Sequence, residues 1–504
     1  MIVTGWCGDP KLPDQGNPQC LCVDRSGRLW VGTNGKGVYL YNRENDKFTQ
    51  YLGDNSGETL FGENIYKMCD YGDELVIGIH EGKLRKLNKR KNILTDVNAP
   101  EVHYKIIRDV ACFDDELWVG TQSGVYVINE LKNKISHIYN DPMCSYSLSD
   151  NQIGRIYRDR ENGIWIGTNL GGVNYCPQRG IEFTRHIPLS RPYTISSKRV
   201  RELVEDEEGN IWVGTEDAGI NIYDPHTGAF KKIGRDVGSK SVCEKSLALL
   251  ADKNYIWAGS FKNGLDIIDR RNFSVRHYSG EQLGLNEASI YALCEDRKGK
   301  IWIGNAWGVY VGDKKTMTFT RLPQFELSYI FDIIEDSDGY IWVATMGNGV
   351  YKYNPEDRKI KHYMHREGDD VSLSSNSVSN IKETSSGEIW FSTDRGGVCR
   401  YNKAEDNFTT FSEKQGLPDD TAYKILEDKN RNLWFGTNKG LVKFDPETGQ
   451  SEVFTTDNGL PGDQFNYKSA FVSSSGIFYF GSSEGLISFD PYQMQKNSCI
   501  PSVF

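Results

Sequence analysis

The side chains that could do chemistry in this chain are few and scattered. Eight histidines are dispersed along 504 residues, and the closest pair, His362 and His365, is spaced i, i+3. On an extended chain that spacing points the two imidazoles to opposite faces, so no shared metal ion is expected. Asp336-Ser-Asp338-Gly339 resembles the start of a calcium loop. Such a loop needs further oxygen ligands and a closing Glu after its Gly, whereas here a Trp strand follows at once, and capping of a hairpin turn fits better. No Gly-x-Ser-x-Gly elbow, phosphate loop, His-Glu-x-x-His pair or dinucleotide fingerprint occurs. Carboxylates are abundant, but the recurring ones sit in one turn type and do not suggest the carboxylate pair, about 5–9 Å apart, of a glycosidase. The eleven cysteines include no Cys-x-x-Cys pair. Cys22 and Cys294 share the strand position of Val204, two residues before a turn Asp, and read as small buried apolar groups. No catalytic residue, cofactor or metal is expected.

The net charge is −10, with Lys and Arg scattered rather than gathered. A nucleic-acid surface normally shows a basic stripe, so that partner is excluded. No apolar run approaches the roughly 20 residues of a membrane helix, and Met1–Trp6 lacks the basic and apolar regions of a signal peptide.

The elements that must position any site are repeats. Leu203-Val-Glu-Asp-Glu-Glu-Gly-Asn-Ile-Trp-Val-Gly-Thr215 returns as Ile334-Glu-Asp-Ser-Asp-Gly-Tyr-Ile-Trp-Val-Ala-Thr345. Aligned on the Trp, the series runs Trp30, Val76, Trp118, Trp165, Trp212, Trp257, Trp302, Trp342, Trp390, Trp434 and Tyr479, eleven units spaced about 45 residues apart. That period, made only of strands and turns, predicts an all-β fold of β-propeller type with four-stranded antiparallel blades. The large ring in each unit is expected to pack between neighbouring sheets. Asp24–Gly27, Asp206–Gly209, Asp296–Gly299 and Asp336–Gly339 are expected to cap the hairpin between the first two strands, with Gly supplying the positive φ.

Eleven blades exceed one ring. The wording departs from the repeat over Gln178–Ser196, and seven regular units follow from Val200. We therefore expect a partial propeller of four blades over 1–177 and a complete seven-bladed propeller over 178–504. The segment Phe183–Ile187 is expected to join the last blade and close the ring, since closure removes exposed strand edges.

Binding residues are best sought where the repeat breaks, in the loops between second and third strands and between blades. A sugar ring stacks an apolar face on an aromatic while amides and charges take its hydroxyls. Trp307, Arg395, Lys262 and Asn348 are the first candidates, and Lys198, Arg199, Tyr423, Gln464 and Tyr467 the second.

The Ile-Trp-Ile-Gly-Thr…Gly-Gly-Val wording resembles the two-component regulator propeller repeats, the periplasmic sensor region of Bacteroides-type hybrid two-component histidine kinases. Ser147-Leu-Ser-Asp-Asn151, Ser372-Leu-Ser-Ser-Asn376, Gly416-Leu-Pro418 and Gly459-Leu-Pro461 are similar to that family's inter-blade phrases. Gly171-Gly-Val-Asn-Tyr175 resembles the close of its first propeller, and Gln464-Phe-Asn-Tyr467 with Phe480–Phe489 the final blade of its second. The resemblance implies two seven-bladed propellers that detect oligosaccharides and control glycan-utilisation genes, followed by immunoglobulin-like, membrane, kinase, receiver and DNA-binding parts. It also implies a periplasmic location and a homodimer through the parent sensor. Against that pattern this chain is expected to lack three blades of the first propeller and all signalling domains. It would thus bind a signal without being an enzyme. The alternatives are a propeller lyase or glycosidase acting on polysaccharide, and a protein-interaction scaffold.

Overall fold

The computed structural model describes residues 17–53, 59–80, 82–142, 147–160, 162–176, 183–233 and 243–493. The expected boundary at Pro177, the Met1–Trp6 segment, Cys7, Cys144 and Cys499 lie outside the described residues. The chain divides into two compact units between Gln178 and Arg179.

In the second unit the described residues form seven four-stranded antiparallel sheets, numbered here as blades 1 to 7. Blade 1 consists of Val200–Glu205, Ile211–Thr215, Ile220–Asp224 and Ala229–Lys232. The innermost strands of the others are Ser246–Ala251, Ala292–Glu295, Tyr329–Glu335, Val378–Glu383, Ile425–Glu427 and Phe465–Val472. Each lies against the next, and the last lies against Val200–Glu205. Blade 7 takes its fourth strand from the other end of the unit. Thr184–His186 pairs antiparallel with Gly485–Phe489, setting Thr184 opposite Ser488 and His186 opposite Leu486.

Local chemistry explains the repeat. In blade 4 the Asp336 carboxylate accepts hydrogen bonds from the Asp338 and Tyr340 amides through one oxygen, at 3.1 and 2.8 Å. Its other oxygen accepts the indole N–H of Trp342 at 2.7 Å. Asp24, Asp206, Asp252, Asp296 and Asp428 hold Trp30, Trp212, Trp257, Trp302 and Trp434 in the same way. Blade 5 departs from this rule. Thr384 stands where Asp is expected, and the buried indole nitrogen of Trp390 has no acceptor. The Gly of the Trp strand has a packing role. A Cβ on Gly304 would meet Ile330 of the next blade at 2.5 Å, and one on Gly481 would meet Val200 at 2.8 Å, across the ring closure.

The described part of the first unit holds sheets built on Pro18–Val23, Phe61–Tyr71, Ile107–Phe113 and Ile153–Arg158. The long strand Leu29–Lys36 joins the first two sheets through Asn34 opposite Asn64 and Lys36 opposite Phe61. Two expectations need correction here. Trp165 is 41% exposed rather than core: among the described residues a Cβ on Gly167 would meet only backbone of Arg155, whereas one on Gly120 would meet Ile153 of the next sheet. And Cys69 and Cys112 are not simple buried thiols, since a disulfide joins them across neighbouring inner strands. Cys22 and Cys294 do behave as small apolar groups, half-buried, their thiols pushed up to about 11 and about 12 by burial.

Two outcomes follow. Thr384→Asp is expected to raise the unfolding midpoint by supplying the acceptor that Trp390 lacks, on the order of 1 kcal/mol. Asp336→Ala should lower it by about 3 kcal/mol, because it orphans three donors. Paired urea titrations check both signs. His186 packs against the Tyr223 and Phe230 rings and contacts Ser488 Oγ at 2.8 Å. Burial pushes its pKa down from 6.5 to about 4. The unfolded chain therefore binds this proton first, so stability is full above pH 6.5 and falls as pH drops towards about 4, by up to about 3 kcal/mol. The slope of the urea midpoint against pH should flatten in His186→Leu.

Candidate functional site

The Asp-capped hairpins join first to second strands and so define one face of the ring. Successive antiparallel connections alternate ends, which sends the loops between second and third strands, and the connections between blades, to the opposite face. Inner strands start at that face. The residues at their beginnings therefore line the mouth of the central channel.

An aromatic cluster gathers there. Tyr423, entering blade 6, meets Tyr467 of blade 7 edge-on, with ring centroids 4.8 Å apart. Tyr467 in turn meets Phe331 of blade 4 at 5.4 Å, across the ring. Phe331 stacks with Tyr291 at 6.5 Å, and Tyr291 meets Tyr329 at 5.7 Å. The Arg201 guanidinium lies 5.7 Å from the Tyr467 ring and 6.0 Å from that of Phe331. Glu216, in the loop of blade 1, braces it at 3.1 Å. Burial and the nearby Asp394 carboxylate push the Tyr467 phenol upward, while Arg201 and Arg395 pull against them. The Tyr423 hydroxyl donates to Asn438 Oδ1 at 2.7 Å, and Gln464 Nε2 reaches the same oxygen at 3.5 Å.

Below the aromatics lies a buried ionic triad. Glu202 of blade 1 pairs with Lys424 at 2.7 Å and with Lys468 at 3.1 Å. Lys468 also donates to the Tyr291 carbonyl at 2.9 Å, from blade 7 to blade 3. Burial alone would raise the Glu202 pKa, but the two ammonium groups hold it below the carboxylate range. Lys468 reaches inward because the Phe465–Val472 strand breaks register between Phe465 and Ala470, and its own φ is 58°.

The structure brings Tyr423, Gln464, Tyr467 and Arg395 to one side of this mouth. Trp307 and Lys262 belong to a second group around Glu287: Ser289 Oγ donates to Glu287 at 2.7 Å and accepts the Lys262 amide at 2.9 Å. Asn305 ties that group to the Trp307 amide at 2.8 Å, and the Trp307 ring is exposed. The Asn348 amide is taken by Tyr351 OH and Glu326, at 2.6 and 3.1 Å. Lys198 pairs with Glu484 at 2.7 Å. Arg199 contributes backbone contacts, its carbonyl accepting from the Glu216 amide. Sequence reasoning missed Arg201, Phe331, Tyr291, Glu202 and Lys468. Their signal is large polar or aromatic residues at the starts of inner strands, where blade 2 carries Leu247 and Ala248.

Seven segments, 11–35, 147–170, 194–217, 284–307, 325–347, 372–395 and 416–439, match the two component regulator propeller family. The curated relative Histidine kinase P4 of Formosa agariphila is 23% identical; the match covers 96% of this chain and 33% of that protein. This chain thus spans about a third of the length of the curated relative it matches. A solved structure described as the extracellular domain of the hybrid two component system BT3049 from B. thetaiotaomicron superposes with a TM-score of 0.72 at 24% identity, covering 96% of this chain and 69% of that one. The extracellular domain of the system BT4673, from the same organism, gives 0.52 at 21% identity, covering 95% and 64%. At these identities the likeness concerns the fold.

Glu202→Gln is expected to destabilise the second unit by about 3 kcal/mol, since it leaves the buried Lys468 ammonium and the half-buried Lys424 ammonium without a counter-charge. Urea unfolding followed by tryptophan fluorescence measures it, and a change below 0.5 kcal/mol would rule out the triad as a structural tie.

Proposed function

We propose that this chain, which carries two-component regulator propeller repeats, is the extracytoplasmic ligand-sensing part of a two-component regulator. In this reading it binds an oligosaccharide at the mouth of the second unit's ring and does no chemistry on it. The observation that carries this reading is the aromatic cluster of Tyr291, Tyr329, Phe331, Tyr423 and Tyr467 around Arg201. Tyr423 is buried and supports the cluster from below; the other phenol and phenyl faces offer apolar platforms, while the guanidinium, Asn438 and Gln464 offer hydroxyl partners. The Cys69–Cys112 disulfide supports a location outside the reducing cytosol. The extracellular relatives support the same location. Among the described residues no helix is long and apolar enough to cross a membrane.

Backbone strain adds support. In the loops between second and third strands, Arg395 of blade 5 and Lys262 of blade 2 have φ of 66° and 60°, where blade 4 uses Gly347. A left-handed side-chain-bearing residue costs about 1–2 kcal/mol, so keeping two long cations there suits a recognition role.

Calorimetry against a panel of oligosaccharides tests the proposal. A binding glycan should lose at least tenfold in affinity with Tyr467→Ala and with Trp307→Ala. Arg395→Gly should bind more weakly yet unfold at a higher urea concentration, by about 1 kcal/mol. Shortened products in the same incubation would turn the reading towards a propeller lyase or glycosidase. If no glycan shifted the melting temperature but a partner protein did, a scaffold would replace it.

A further inference from the structure

The first unit contains a cavity of about 650 Å³ lined by His80, Lys83, Leu84, Arg85, His103 and Tyr104, among others. This lies within the roughly 300–1,000 Å³ of ordinary small-ligand sites. It exists because of how one connection is laid down. Between Leu94–Asp96 and Ile107–Phe113 the chain makes a short 3-10 turn at Pro100–Val102. It then runs its backbone over Gly82, where a Cβ would stand 2.6 Å from the Tyr104 nitrogen and 2.7 Å from both Lys105 N and O. Only glycine lets this wall close.

Tyr104 is the anomaly. Its side chain is 92% exposed, and its backbone has φ of 63°. A bulky residue in that region is costly, and here no burial offsets the cost; the ring meets only the His103 imidazole edge-on, 6.3 Å away. The ring is thus held out at the cavity edge with its faces open. Leu84 and Val97 give the interior a buried apolar surface. The charged groups are already matched, Arg85 with Asp96 at 3.1 Å and Lys83 with Glu63 at 3.0 Å. Among the described lining residues, a net charge on the ligand would find both cations already paired. Hydroxyls would find donors and acceptors together, from both ion pairs and from two imidazoles, which in neutral form offer one of each.

We propose that this cavity is a second binding site, for a neutral hydroxylated ring ligand of the oligosaccharide class that stacks on Tyr104. It does not rest on the reading of the second unit's mouth. Saturation-transfer NMR on the whole chain tests it, with neutral trisaccharides of glucose, xylose and mannose and a trisaccharide of a uronic acid as probes. At least one neutral probe should bind, and Tyr104→Gly should weaken it at least tenfold. That variant relieves the left-handed backbone, so loss of binding cannot be put down to misfolding. Gly82→Ala, which pushes the wall outward, should weaken the same probe, while Tyr467→Ala should leave it unchanged. The proposal is overturned if no neutral probe binds, if only the uronate binds, or if Tyr104→Gly binds like the native chain. A probe lost in Tyr467→Ala but kept in Tyr104→Gly would support the mouth and sink this cavity. The reverse would sink the mouth and support the cavity.

Discussion

An indole buried between two sheets needs an acceptor for its N–H, and no water can supply one there. A single carboxylate answers that need in blade after blade. The Asp that opens the first hairpin turns one oxygen to two backbone amides and the other to the Trp six residues later, as Asp206 does for Glu208, Asn210 and Trp212. The hairpin and the blade-to-blade packing are thereby fixed by the same side chain. Such hydrogen bonds to a charged acceptor are roughly twice as strong as neutral ones, and leaving any of the three donors bare would be costly. The Gly that follows the Trp completes the arrangement by letting the next blade's inner strand come into contact.

This division of labour separates the two faces of the ring. The capped face is committed to architecture, and variation there breaks donors that have no other partner. At the mouth, backbone hydrogen bonds such as Gly219 N–H to the Glu244 carbonyl and Gly349 N–H to the Asn376 carbonyl link neighbouring blades, so side chains there can change without breaking those ties. The ion triad beneath the mouth binds the two regions. Glu202, Lys424 and Lys468 come from blades 1, 6 and 7, the same stretch of the ring that the Thr184–His186 strand completes at the outer edge. Inner and outer ties therefore fall where the chain's two ends meet, at the blade whose sheet is assembled from both ends of the unit.

Features with a local cause were legible in the sequence. The Asp turn, the Trp strand and the Gly each act within one blade or on its immediate neighbour, so the repeat alone revealed the strand order within a blade and the sheet type. Tyr423, Gln464 and Tyr467 could be proposed because they fall where the wording changes. Arg201, Phe331 and Lys468 could not, because what they touch lies across the ring: Lys468 contacts a carbonyl 177 residues away. In a strand pattern, Arg201 reads as an outward polar residue, and only ring closure turns it inward. Trp165 makes the converse point. Its wording matches the buried tryptophans, and its indole still donates to Asp159 at 2.7 Å, yet its ring is exposed. The motif builds the blade; the neighbour does the burying.

Left-handed backbone marks positions where the chain accepts strain. Most non-glycine residues with positive φ here are Asn or Asp in hairpins, or residues at the end of a tight turn, such as Asp46, Asn92 and Asn133. Asn and Asp tolerate that region through local hydrogen bonds, so their presence has a cheap structural reason. Among the described residues nine others lack that excuse, Tyr193 and Lys468 as well as Lys262, Arg395 and Tyr104. Glycine would be less strained at each, and Gly347 shows that the fold accepts it at the loop position of Lys262 and Arg395. For a molecule whose strands are spent on their own assembly, the loop positions of Lys262 and Arg395 are where the proposed recognition has room to act.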